Sequence, residues 1–363
     1  MDMNKHPFSK VALFAIATAA LTSCSETDSP RQPESESGNA IRFAANTEFA
    51  SRAGADVTTN NLTEFNVYAY TGEGADQVTF MDNVTVTKTS GNTWTYSPLK
   101  YWPAETVDFY AFAPSTWVGS DGPLKPVSYS NHAGDKDLIY AVSPDLTGNG
   151  SQPNAQVVFN FRHALAKVTV LLSSTNTDLR VEVSNVALAN LRAKGDFTFP
   201  SASTAGTATA ESTGTWSNLS DVYPYLLHMS QRPDEVVTLT TTPVDLSETG
   251  LGGPKYLIPQ TLTWRSMGAG QDNYMSLMCS VYDAKSGVKL WPNANTPEEN
   301  IVEGSTFGDG LLKFPLSTSQ FSEWKPGYHY VYNLVVNANS EMGSIEFGQP
   351  TVDTYIDVET TFE

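Results

Sequence analysis

The chain has 363 residues, 21 Lys and Arg against 39 Asp and Glu, a formal net charge of −18 and two cysteines. A surface this acidic repels nucleic acid and anionic lipid head groups, and two cysteines exclude a disulfide framework. The low charged fraction, 17%, together with frequent Thr, Val, Tyr and Phe, favours strands over helices.

From Val11 to Leu21 runs an apolar stretch too short to span a membrane and flanked like a secretory signal. It ends in Leu21-Thr22-Ser23-Cys24, a leucine, two small residues and a cysteine, which is the pattern of a bacterial lipoprotein signal. Residues 1–23 therefore read as a signal peptide and Cys24 as the site of lipid attachment. Cys279 is then left without an intramolecular disulfide partner, and the expected membrane anchor is the acyl chains alone, because no second stretch nears the roughly 20 apolar residues of a membrane helix. Residues 24–40 are rich in Ser, Glu, Asp, Pro and Gln and read as a disordered tether.

A period of two begins at residue 41. Ile41, Phe43, Ala45, Thr47 and Phe49 share one face, and Arg42, Ala44, Asn46 and Glu48 share the other, as expected of a strand with one buried face. Arg52 follows, before Ala53-Gly54-Ala55, small residues suited to an exposed loop that a protease can enter. Arg31 and Arg42 are the competing basic sites; a cut at the first leaves the strand in place and a cut at the second splits it.

Strand signals then recur between turn residues. Phe65 to Tyr70 alternates until Gly72; Val107 to Ala113 is apolar on both faces apart from Asp108, as in a strand covered on both sides. Phe159 to Leu172 is long, with a bend or bulge predicted at His163-Ala164-Leu165. A second series comprises Arg180 to Leu188, Val236 to Thr242, Tyr256 to Trp264, Tyr274 to Tyr282 and Tyr328 to Val336, the last expected as a half-buried antiparallel strand. Ser201 to Ser220 carries no apolar period and reads as a loop. The pattern predicts an all-β chain of two antiparallel β-sandwich domains in tandem, 53–175 and 176–363. The tail, about 340–363, alternates once more, with Val352, Thr354, Ile356, Val358, Thr360 and Phe362 on one face.

Chemistry is sparse. His132, His163, His228 and His329 show no metal-ligand spacing, and no nucleophile elbow, Walker loop or dinucleotide fingerprint occurs; no cofactor or metal is expected and the chain reads as a non-enzyme. His163 and His329 lie in strand patterns, as hydrogen-bonded structural residues do. Of the seven Trp, Trp94, Trp102, Trp264 and Trp324 sit in or beside strand signals and are assigned to cores, whereas Trp117 and Trp291, among Gly, Pro and Asn, are the candidate ligand contacts.

Five stretches in order carry a resemblance: Tyr101-Trp102-Pro103, Phe109-Tyr110-Ala111-Phe112-Ala113-Pro114, Phe161-Arg162-His163-Ala164-Leu165-Ala166-Lys167-Val168, Tyr256-Leu257-Ile258-Pro259-Gln260-Thr261 and Trp324-Lys325-Pro326-Gly327-Tyr328-His329-Tyr330-Val331-Tyr332. Behind a lipoprotein signal they resemble the fimbrillin family, the type V pilins of Gram-negative anaerobes. The resemblance implies transthyretin-like sandwiches, export to the outer membrane surface, and polymerisation with other fimbrial subunits by strand exchange. It also implies a trypsin-like protease cutting between Arg52 and Ala53, so that 41–52 becomes a leader strand, with Ile41, Phe43 and Phe49 as its buried anchors, that is removed on maturation. The matching alternation of the tail, taken with the resemblance, suggests a donor strand anchored by Val352, Ile356, Val358 and Phe362; the alternation alone fits equally a final strand paired within its own domain. The alternative is a permanently anchored surface lipoprotein that binds glycan or a host ligand through Trp117, Trp291 or loops.

Overall fold

A computed structural model describes residues 40–47, 57, 61–89, 93–148, 156–203, 212–246, 254–265, 272–319, 321–338 and 345–347. The strands of the N-terminal half are β1 (Arg42–Thr47), β2 (Glu64–Thr71), β3 (Val78–Lys88), β4 (Trp94–Thr95), β5 (Val107–Ala113), β6 (Val127–Ser130), β7 (Ile139–Leu146) and β8 (Gln156–His163). There follow β9 (Ala166–Ser174), β10 (Leu179–Thr198), β11 (Thr215–Met229), β12 (Val237–Thr238), β13 (Val244–Asp245) and β14 (Lys255–Leu257). The chain continues through β15 (Tyr274–Asp283), β16 (Lys289–Trp291), β17 (Gly310–Pro315), β18 (His329–Ala338) and β19 (Ile345–Phe347). Among the described residues no helix is long and apolar enough to cross a membrane.

The protein is all-β. The first sheet has the order β1-β8-β7-β5-β2-β3-β4. In the second, β10 pairs antiparallel with β11 along one edge; on the other, β15 covers Leu179 to Ala189 and β6 takes over from Lys194 to Phe197. The third is built on β9, which pairs with β13, β14 and β18. Most pairings are antiparallel, but β1 runs parallel to β8 and β18 runs parallel to β9. The strand expected from Tyr328 to Val336 thus has the expected direction only towards β19.

Two further expectations are corrected by the pairings. The bend at His163-Ala164-Leu165 separates β8 from β9, and β9 joins strands of the C-terminal half, so the passage between sheets falls at Ala164 and Leu165 and not near residue 175. Residues Thr215 to Ser220, assigned to a loop, begin β11; on this mostly exposed edge strand Trp216 and Leu219 pack against the core, and two apolar residues three apart show no period of two.

Among the described residues three apolar clusters form the core. One lines a face of the first sheet with Phe65, Val67, Phe109, Ala111 and Phe159. Another lies between the second and third sheets, where Val170, Val183, Leu277, Cys279 and Tyr332 pack together. Burial pushes the Cys279 thiol pKa up, with the Asp309 charge adding to the effect, so the thiol behaves as a small packed hydrophobe.

The third cluster joins the halves. The other face of β2 and β5 offers Tyr68, Tyr70 and Phe112, and these share one apolar body with Trp117, Tyr140, Phe197, Phe199, Tyr256 and Ile258. Polar contacts close the same junction. The Asn131 amide donates to Tyr256 O at 2.5 Å and its carbonyl side accepts from Gly134 N at 2.9 Å, while the Tyr225 hydroxyl donates to Asn131 O at 2.5 Å. The Trp216 indole donates to Ala164 O at 2.7 Å.

Phe197 is central to this cluster, with ring centroids at 5.0 Å from Trp117, 5.0 Å from Tyr140 and 5.2 Å from Trp216. Phe197→Ala should therefore cost about 3–5 kcal/mol of unfolding free energy, measured in urea. A loss below about 1 kcal/mol would mean that the junction is not a packed core.

Candidate functional site

The site is the groove that holds β1. Ile41, Phe43 and Ala45 are buried, and Arg42 is exposed, so the alternation read from sequence is realised with its apolar face inward. Phe43 is 2% exposed. Its ring stacks on Phe159 at 5.5 Å between centroids and meets Tyr96 at 5.1 Å, Phe109 at 6.0 Å and Phe65 at 6.4 Å. Burying Ile41 and Phe43 stabilises the seated strand by roughly 1.5–3 kcal/mol each before ordering costs.

On one side β1 makes a parallel ladder with β8, from Arg42 opposite Gln156 to Thr47 opposite Phe161. On the other it meets the segment after β4. Ile41 N donates to Lys100 O at 2.9 Å, and Ala40 forms an antiparallel bridge with Tyr101. Two side chains also hold its backbone: the Tyr96 hydroxyl donates to Ile41 O at 3.0 Å and the Gln156 amide donates to Phe43 O at 3.0 Å. Burial keeps the Tyr96 phenol pKa above its ordinary value, opposed in part by the Lys100 backbone hydrogen bond, so the group is a neutral donor.

Near the far end of β8, His163 Nδ1 lies 2.6 Å from Asp137 Oδ2, both side chains being buried. The same carboxylate oxygen accepts a bond from Val57 N at 3.3 Å, which fastens a residue five positions after Arg52 to the junction of the sheets. His329 Nε2 is 2.9 Å from Thr169 Oγ1. Both histidines have the hydrogen-bonded structural role expected of them.

Of the residues singled out in the sequence, Cys24, Phe49, Arg52, Ala53, Val352, Ile356, Val358 and Phe362 lie outside the described residues. Ile41 and Phe43 come together in the groove. Trp117 is corrected: it is 3% exposed and packed on Phe197 and Phe199, because the loop that carries it folds into the shared core. Trp117 therefore offers no free indole face to a sugar. Trp291 is half-buried and its six-membered ring lies against Gly310, leaving no room there for a β-carbon. Of the groove walls, Phe109 and Phe159 lay in strand signals without being assigned to a site, and Tyr96 and Gln156 went unmarked because they come from separated segments and carry no motif.

The fimbrillin-like family profile matches residues 51–353, a span that starts after β1. A fimbrial protein from Bacteroides vulgatus superposes with a TM-score of 0.49 and 16% identity, covering 87% of this chain and 100% of that one. The tip fimbrial protein Mfa3 from Porphyromonas gingivalis gives a TM-score of 0.41 and 10% identity, covering 86% of this chain and 99% of that one. The fimbrial anchor protein Mfa2 from the same organism gives 0.33 and 12%, covering 87% and 98%. A search of curated proteins finds no match.

Removing the Phe43 ring should open a cavity among Phe65, Tyr96, Phe109 and Phe159. In the uncleaved chain Phe43→Ala is expected to lower unfolding free energy by about 3–5 kcal/mol, whereas Arg42→Ala on the exposed face should change it by less than about 0.5 kcal/mol. Equal effects in urea denaturation would contradict the seating of β1.

Proposed function

The chain belongs to the fimbrillin-like family, and from that premise we propose that it is a structural subunit, stalk or tip, of a surface fimbria that contributes to adhesion. The observation that carries the reading is the seating of β1. A short strand with no hairpin to its neighbour fills an aromatic groove at a sheet edge, held by a parallel ladder and two side chains.

In this account the precursor is exported, lipidated at Cys24 and held at the outer membrane surface. A trypsin-like protease cuts between Arg52 and Ala53, β1 leaves with the leader, and the groove accepts an extended strand from another subunit by β-augmentation. The tail is the candidate donor. Val352, Ile356, Val358 and Phe362 bring four apolar side chains at period two, on the order of 6–12 kcal/mol of burial before ordering costs. Such a chain needs no cofactor or catalytic centre. The reading as a permanently anchored ligand-binding lipoprotein loses one of its two candidate contacts, since Trp117 is in the core.

Arg52→Ala should leave the precursor lipidated, cell-bound and monomeric, while N-terminal sequencing of polymer sheared from wild-type cells should begin at Ala53. Polymer that still begins at Ala53 in the Arg52→Ala strain would show that the cut does not depend on Arg52 and would overturn a trypsin-like protease acting there. A wild-type polymer blocked at Cys24 would overturn maturation by cleavage.

A further inference from the structure

We propose that Tyr96 and Gln156 are backbone clamps of the β1 groove, which hold an extended strand by two of its carbonyls at positions i and i+2 whatever side chains that strand carries. The inference deepens the acceptor-groove reading and takes its functional meaning from it.

The Tyr96 hydroxyl accepts from Lys100 N at 3.2 Å and donates to Ile41 O at 3.0 Å, so one phenol ties the backbone after β4 to the backbone of β1. Gln156 opens β8 opposite Arg42, and its amide reaches forward to Phe43 O at 3.0 Å. Both donors meet main-chain oxygens, and neither bond involves a polar atom of a β1 side chain. The two carbonyls belong to the residues whose side chains enter the groove, Ile41 and Phe43, so the clamps fix which face of the strand turns inward, and the seats fix its register.

Side-chain selection is left to the seats of Ile41, Phe43 and Ala45. The middle seat is walled by four aromatic rings, from Phe65, Tyr96, Phe109 and Phe159. Tyr96 serves both purposes, its ring bounding the selective seat and its hydroxyl bonding to the backbone. Gln156 is exposed and touches only the backbone function. Tyr96 and Gln156 are positioning residues for whichever strand occupies the groove.

The test is amide hydrogen exchange on the intact, uncleaved chain, read in the segment 40–47 and, as an internal control, in β15. Gln156→Ala and Tyr96→Phe should each accelerate exchange in 40–47 by about two- to tenfold, the effect of losing one net hydrogen bond, and leave β15 unchanged. Because a backbone clamp does not sense side chains, Gln156→Ala should give the same factor in an Ile41→Val background. Unchanged exchange in 40–47, equal acceleration in β15, or a factor that disappears with Ile41→Val would each overturn the clamps. If Tyr96→Phe does not fold, Gln156→Ala, at an exposed position, carries the test alone. No cleavage or polymer is involved: flat exchange beside polymer that starts at Ala53 sinks the clamps and leaves the acceptor groove standing, and accelerated exchange without polymer does the reverse.

Discussion

The contact on which the rest of the account depends is the Phe43 ring in its aromatic seat. A sheet edge lined by Phe65, Phe109 and Phe159 cannot be left open without exposing a large apolar surface and a row of unpaired backbone groups. Something extended must fill it, and in this chain β1 does so. The fit is local: β1 meets β8 and the segment after β4, and its parallel direction means that no tight turn ties it to β8. An insert of this kind contributes burial and ladder hydrogen bonds without being woven into the order of the other strands, which is the physical requirement for a strand that one subunit loses and another supplies.

The rest of the molecule does not depend on β1 in the same way. The apolar body built on Phe197, Trp117 and Tyr140 joins the first sheet to the second, and the Asn131 bonds with Tyr256, Gly134 and Tyr225 close it. These apolar residues form a cluster separate from that of Phe43, on the opposite face of β2 and β5. The bond from Val57 to Asp137 holds the backbone of Val57, whose side chain packs against the groove cluster.

Much of this was legible in the sequence wherever a strand's environment is set by its own alternation. Ile41, Phe43 and Ala45 bury as their period of two requires. The two-faced run from Val107 to Ala113 is covered on both sides, with Phe109 in the groove cluster and Phe112 in the junction. What the pattern could not carry was anything set by a distant partner. Alternation is blind to direction, so β18 was expected antiparallel although β9 lies beside it in parallel. It is also weak at an edge, so the exposed start of β11 passed for a loop. Trp117 sits in a Gly- and Pro-rich stretch that looks like surface, yet Phe197 and Phe199, some 80 residues on, fold over it. Tyr96 and Gln156 gave no signal at all, because a side chain that bonds to main chain across 55 or 113 residues leaves no local trace.

The most direct measurement is to lock β1 in place. Ala44 and Val158 are register partners across β1 and β8, on the face turned away from the groove, with Val158 41% exposed, so Ala44→Cys with Val158→Cys offers a disulfide that spans the two strands while Cys279 stays buried. Oxidised, the double variant should be cut at Arg52 and still fail to polymerise; reduction should restore polymer. Polymer of normal length formed by the oxidised, cross-linked protein would contradict the account.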